Sequence, residues 1–127
     1  MSADRIDKHA LFSSLPSEWP EDVMPQIRAQ LQTSGRKLVV LDDDPTGTQT
    51  VHDIAILTEW TPELLAQELV ADAPAFYILT NSRSLSAAAA EALTRTIAQN
   101  LAQASQQTGQ DFVVVSRSDS TLRGHFP

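Results

Sequence analysis

Three stretches carry residues whose types and spacing suit chemistry on a small polar anion. "DDDPTGTQT", residues 42 to 50, sets three carboxylates in a row where an apolar run ends. "TNSRS" at 80 to 84 and "SRSDSTLRGH" at 116 to 125 set hydroxyls and guanidiniums after two further apolar runs. Adjacent carboxylates repel one another, and core packing has no use for them. Toward a ligand they accept hydrogen bonds from hydroxyl groups. Arginine forks grip a carboxylate bidentately. Ser and Thr hydroxyls and backbone N–H groups add anion contacts. One aspartate can serve as a general base toward a hydroxyl. The mixture suits a polyol or a sugar acid.

Taken singly, each stretch has a plainer explanation. Asp-Pro-Thr-Gly is turn chemistry. Asn81 and Ser84 suit the cap of a following helix, and "SDST" at 118 to 121 suits a helix starting near Thr121. Their joint occurrence, each after an apolar run, favours a shared site. The basic residues after Lys37 are Arg83, Arg95, Arg117 and Arg123, and all but Arg95 lie in these stretches. Pairing with nearby aspartates is the alternative use for them.

The elements that must position these residues follow from periodicity. Short apolar runs predict strands at 37–41, 53–58, 75–80 and 111–116. A helix is expected from about Asp22, with Pro25 in its first turn and Gly35 as its stop. "TPEL" opens another, with Thr61 as cap, Pro62 first, and Leu65 and Leu69 on one face. A long Ala-rich helix runs from Ser86 to about Thr108, with Leu93, Ile97, Leu101 and Ala104 on one face and Gly109 closing it. Residues 42–53 are too polar and short for a crossover helix, so a loop with one helical turn is expected. Residues 1–20 lack periodicity and read as an extended arm. Trp19 and Trp60 read as packing residues, and His52 has no assigned role. His125 reads either as a helix-turn residue or as a ligand contact.

Strands alternating with helices predict an α/β fold: three layers, a mostly parallel sheet with helices on both faces, Rossmann-like. Ligands bind outside the carboxyl ends of such strands, so the three stretches should share one edge.

Composition bounds the rest. The chain has 127 residues, 42% of them hydrophobic and 20% charged, as in a soluble globular domain or part of one. It has no cysteine, which excludes disulfides, thiolate metal sites and cysteine nucleophiles and fits the cytoplasm. A net charge of −7 argues against nucleic acid as partner. There is no signal-peptide core and no run near the roughly 20 apolar residues of a membrane span.

"DDPTGT" at 43–48, "TNSR" at 80–83 and "DSTLRG" at 119–124 together resemble the four-carbon acid sugar kinases. The resemblance spans about residues 35–127. It implies ATP-dependent phosphorylation of threonate, erythronate or 3-oxo-tetronate by a two-domain protein, with the sugar acid as small-molecule partner. Residues 1–35 would be an arm and helix. Residues 36–127 would be the first part of the sugar-acid-binding domain, an incomplete domain. ATP with Mg would be held mainly by a C-terminal domain that this chain lacks, so the isolated chain is expected to be inactive.

The resemblance implies Asp43 and Asp44 as catalytic residues. It implies Thr46, Gly47, Asn81, Ser82, Arg83, Arg117, Asp119, Ser120, Arg123 and Gly124 as substrate-binding, and no metal ligand. Asp42 adds a third carboxylate; Arg117 stands where many members have lysine, and His125 where many have asparagine. An incomplete sheet leaves an open edge, so marginal stability or a homo-oligomer is expected.

Two rival readings remain. "VVLDDDPT" satisfies the first motif of haloacid-dehalogenase-like Mg-dependent phosphatases, with Asp42 as nucleophile, Asp44 as acid, and Thr80 from the second motif. That family also needs a later lysine, and none follows Lys37. The other rival is a non-catalytic binding fragment. The sequence has no G-x-x-x-x-G-K-[ST] and no G-x-G-x-x-G to cradle phosphates.

Overall fold

The computed structural model describes residues 6–118 and 125. Four strands, β1 (Lys37–Asp42), β2 (Ala55–Leu57), β3 (Ala75–Leu79) and β4 (Phe112–Arg117), form one sheet in the order β2-β3-β1-β4. All three pairings are parallel. The helices are α1 (Lys8–Ser13), α2 (Met24–Ser34), α3 (Pro62–Val70) and α4 (Ala87–Thr108). The fold is the α/β class expected, consistent with an incomplete Rossmann-like domain.

Strand order and crossover handedness decide which face each connection covers. From β2 to β3 to β4 the chain moves across the sheet in one direction. Right-handed crossovers then put α3 and α4 on the same face, where they pack together. The core lies there: Leu65 and Leu69 of α3 and Ile97 and Leu101 of α4 meet Val39 and Phe76 of the sheet. The step from β1 to β2 runs the opposite way and belongs to the other face. It holds no α-helix, only a 3-10 turn at Gly47–Thr50, as its polar sequence predicts.

The helix boundaries follow local chemistry. The Thr61 side chain accepts from the Leu64 N–H at 3.3 Å, and Ser86 accepts from Ala89 N–H at 3.3 Å. Gly35 (φ 61°) and Gly109 (φ 71°) end α2 and α4 in the left-handed conformation. Two readings needed correction. Within the arm, Lys8–Ser13 is a helix, because Asp7 caps it through the N–H groups of His9 and Ala10, both at 3.0 Å. Trp60 packs against the core, but Trp19 is 76% exposed and packs little.

At the opposite end of the sheet from the polar loops, the buried Lys37 ammonium plugs the end of α3. It donates to the Ala71 carbonyl at 2.5 Å and to that of Ala73. Burial pushes its pKa below the ordinary lysine range, while Glu68 and Asp72 pull it back up. At the sheet edge, Val113, Val114 and Val115 of β4 are exposed. No described helix is long and apolar enough to cross a membrane.

Candidate functional site

Because β1 lies between β3 and β4, its end adjoins the ends of both neighbours. Asp42 sits at that junction. Its backbone carbonyl accepts from the Thr80 N–H at 2.8 Å and from the Thr80 hydroxyl at 2.9 Å. Its side chain is 0% exposed. Oδ1 accepts from the Asp44 N–H at 3.3 Å and lies 3.5 Å from Arg117 Nη1. Oδ2 has no hydrogen-bond partner among the described residues. Asp42 and Arg117 are cross-strand partners in the parallel register, so they share a face. Gly47 backs onto this pair: a Cβ there would overlap the Asp42 carboxylate and Arg117 Nη1. Close approach, not backbone handedness, demands glycine at this point.

Asp44 organises the turn and reaches the next loop. Its Oδ1 accepts from Thr46 N–H at 2.9 Å, and Oδ2 from the Thr46 hydroxyl at 2.8 Å. Gly47 N–H closes the turn onto the Asp44 carbonyl at 2.9 Å. Asp44 Oδ2 is also ion-paired with Arg83 Nη1, the side chains being 7% and 25% exposed. Arg83 lies in a 3-10 turn, Ser82–Ser84, entered through Asn81 at φ 50°. Asn is among the few residues that take this conformation readily. Its carbonyl accepts from Ser84 N–H at 3.2 Å.

Asp43 alternates to the other side and lines a cavity of about 750 Å³ under the first half of α4. Thr80, Ser82, Ser116 and Ser118 share that lining. The Thr80 hydroxyl, its proton on the Asp42 carbonyl, accepts from the Ser82 hydroxyl at 3.0 Å, and the Ser116 and Ser118 hydroxyls are 2.7 Å apart. His125 lines it too, its Nε2 2.8 Å from the Leu85 carbonyl. A carbonyl only accepts, so this contact puts a proton on Nε2. A carboxylate facing several hydroxyls in an open cavity can hold a polyol and accept a proton from it.

The carboxyl ends of β1, β3 and β4 therefore lie on one edge, and of the segment after β4 only Ser118 and His125 are among the described residues. Within that edge the residues divide. Asp43 and Ser82 line the cavity. Asp44, Thr46, Asn81 and Arg83 form the adjoining latch between two loops. Gly47 and Arg117 lie with Asp42 across the sheet from α4. Asp119, Ser120, Arg123 and Gly124 fall outside the described residues.

The α4 wall was missed by sequence reasoning. Glu91, Thr94 and Arg95 line the cavity with Ala87, Ala90 and Ala98. The signal was present: short residues at 87, 90, 94 and 98 recur at helical spacing beside the apolar stripe, leaving room in front of the helix. The Glu91–Arg95 pair spans 2.8 Å, with side chains 71% and 68% exposed. Such an exposed i,i+4 pair contributes only about 0.3–0.5 kcal/mol. The largely buried Asp44–Arg83 contact falls in the class of charged hydrogen bonds, about 1.5–3 kcal/mol.

The geometry also bears on the phosphatase alternative. Asp42, its required nucleophile, has no exposed surface and cannot meet a phosphate ester in this arrangement. Among the described residues there is no group of three or more His, Cys, Asp or Glu side chains able to hold a metal ion.

The family model described as sugar-binding N-terminal domain matches residues 38–127. No curated protein and no solved structure matches the chain.

Proposed function

Since the chain belongs to the sugar-binding N-terminal domain family, we propose that it is the substrate-binding part of an ATP-dependent kinase for a four-carbon sugar acid. The observation that carries this reading is Asp43 in a hydroxyl-lined cavity at the carboxyl edge of a parallel sheet. The resemblance of the same loops to the four-carbon acid sugar kinases supports the substrate class: threonate, erythronate or 3-oxo-tetronate.

On this reading Asp43 accepts the proton of the substrate hydroxyl that becomes phosphorylated. Thr80, Ser82, Ser116 and Ser118 orient the polyol chain. Asp44 and Arg83 hold the loops after β1 and β3 in register. ATP with Mg would supply the phosphoryl group. The described residues form no cradle for it. The work would be done in the cytoplasm, where ATP is plentiful.

Calorimetric titration of the 127-residue chain with threonate and with erythronate tests the binding half. Heat from at least one acid is expected; silence from both overturns the reading. Coupled ADP release with ATP and Mg²⁺ tests the kinase half. Should the sugar acid bind but no ADP appear even with a partner domain supplied, a binding module remains and the kinase falls.

A further inference from the structure

We propose that Arg95, an α4 residue, is the group that takes the carboxylate of the sugar acid, with Glu91 as the counter-charge it leaves on binding. The inference rests on the sugar-acid reading above and adds a specificity determinant to it. Among the described residues, Arg95 is the one arginine lining the cavity. The two other described candidates are engaged elsewhere, and Arg123 lies outside the described residues. Arg83 is ion-paired with Asp44 in a largely buried contact. Arg117 lies across the sheet from α4, against Asp42 and Gly47.

The helix geometry brings the Arg95 head group toward the rim. Side chains on a helix lean toward its N-terminus. Arg95 Nη2 accordingly meets Glu91 Oε1 at 2.8 Å, one turn nearer the Ser82–Ser84 loop. The small side chains of Ala87, Ala90 and Ala98 leave the space before it open. Both members of the pair are mostly exposed, so exchanging Glu91 for a bidentate ligand carboxylate loses little. Asp43, also in the cavity, repels the acid group. The ligand is thereby oriented: its hydroxyl end at Asp43, its carboxylate end at Arg95.

Glu91 and Arg95 therefore act with opposite sign. Arg95→Gln should weaken threonate binding by at least about tenfold, the low end for losing a charge-assisted bond. It should leave binding of the neutral tetrol threitol unchanged. Glu91→Gln should strengthen threonate binding, because a competing anion is gone. Both residues are exposed, so neither change should lower the melting temperature by more than about 3 °C. Calorimetry of the three proteins against both ligands decides. If the parent prefers threonate to threitol and Arg95→Gln keeps that preference, the carboxylate is read elsewhere; this inference falls and the sugar-acid reading stands. If the parent binds both equally, Arg95 reads no charge and the inference falls alone. If the parent binds neither, the sugar-acid reading falls and takes the inference with it.

Discussion

Arg83 and Asp44, from the loops after β3 and β1, form an ion pair that fastens two carboxyl-end loops to each other. The same Asp44 carboxylate accepts both the N–H and the hydroxyl of Thr46. Arg83 thus completes a carboxylate that water scarcely reaches. Arg83→Ala should cost about 1.5–3 kcal/mol of stability, read as a lower urea midpoint at unchanged m-value. Arg83→Lys should recover only part, because an ammonium cannot fork. An unchanged midpoint for Arg83→Ala would show that the contact contributes nothing.

Gly47 should tolerate no side chain. Its Cβ would enter the space of Asp42, which is fully buried and cannot retreat. Gly47→Ala should lose about 1–3 kcal/mol as overpacking. Hydrogen exchange should quicken at the Asp44, Gly47 and Thr80 amides, which report the junction directly. Normal protection at all three would mean that the loop shifts freely.

Lys37 gives a pH dependence of known sign. Its folded pKa lies below the ordinary 10.5, with burial the main cause. Between the folded pKa and 10.5 the unfolded chain binds more protons. Stability from this group should therefore rise with pH across that window and stay flat below it. Lys37→Met should remove the rise, although it also leaves the Ala71 and Ala73 carbonyls without their donor. The measurement is urea stability of parent and variant from pH 8 to 11, and a parallel pair of curves would contradict the assignment.

Asp43 should separate binding from turnover. Asp43→Asn keeps the shape of the cavity wall but cannot take a proton. Sugar-acid affinity should stay within a few-fold, while on the proposed kinase reading ADP release, assayed with a nucleotide-binding domain supplied, drops by about 10²–10⁴. Equal turnover in parent and variant would remove Asp43 from the base role.

Much of the fold was legible because its determinants are local. Thr61, Ser86, Gly35 and Gly109 mark helix ends through contacts within a few residues. Apolar runs mark the strands, and the polar text after β1, β3 and β4 marks the loops that come together. Asp7 was overlooked as a cap because one short turn leaves no periodicity to read.

By itself the sequence determined the α/β class, the order of the elements from α2 onward and the polar segments that follow β1, β3 and β4. Only the tertiary structure decided what each aspartate does. Asp42 is buried against Arg117, Asp43 faces the cavity, and Asp44 holds Thr46 and Arg83. It also decided that Glu91 and Arg95 of α4 form the far wall. The physical reason is that caps and turns act over a few residues. Which face a side chain meets depends on strand order, register and crossover handedness, and these bring together residues distant in the chain.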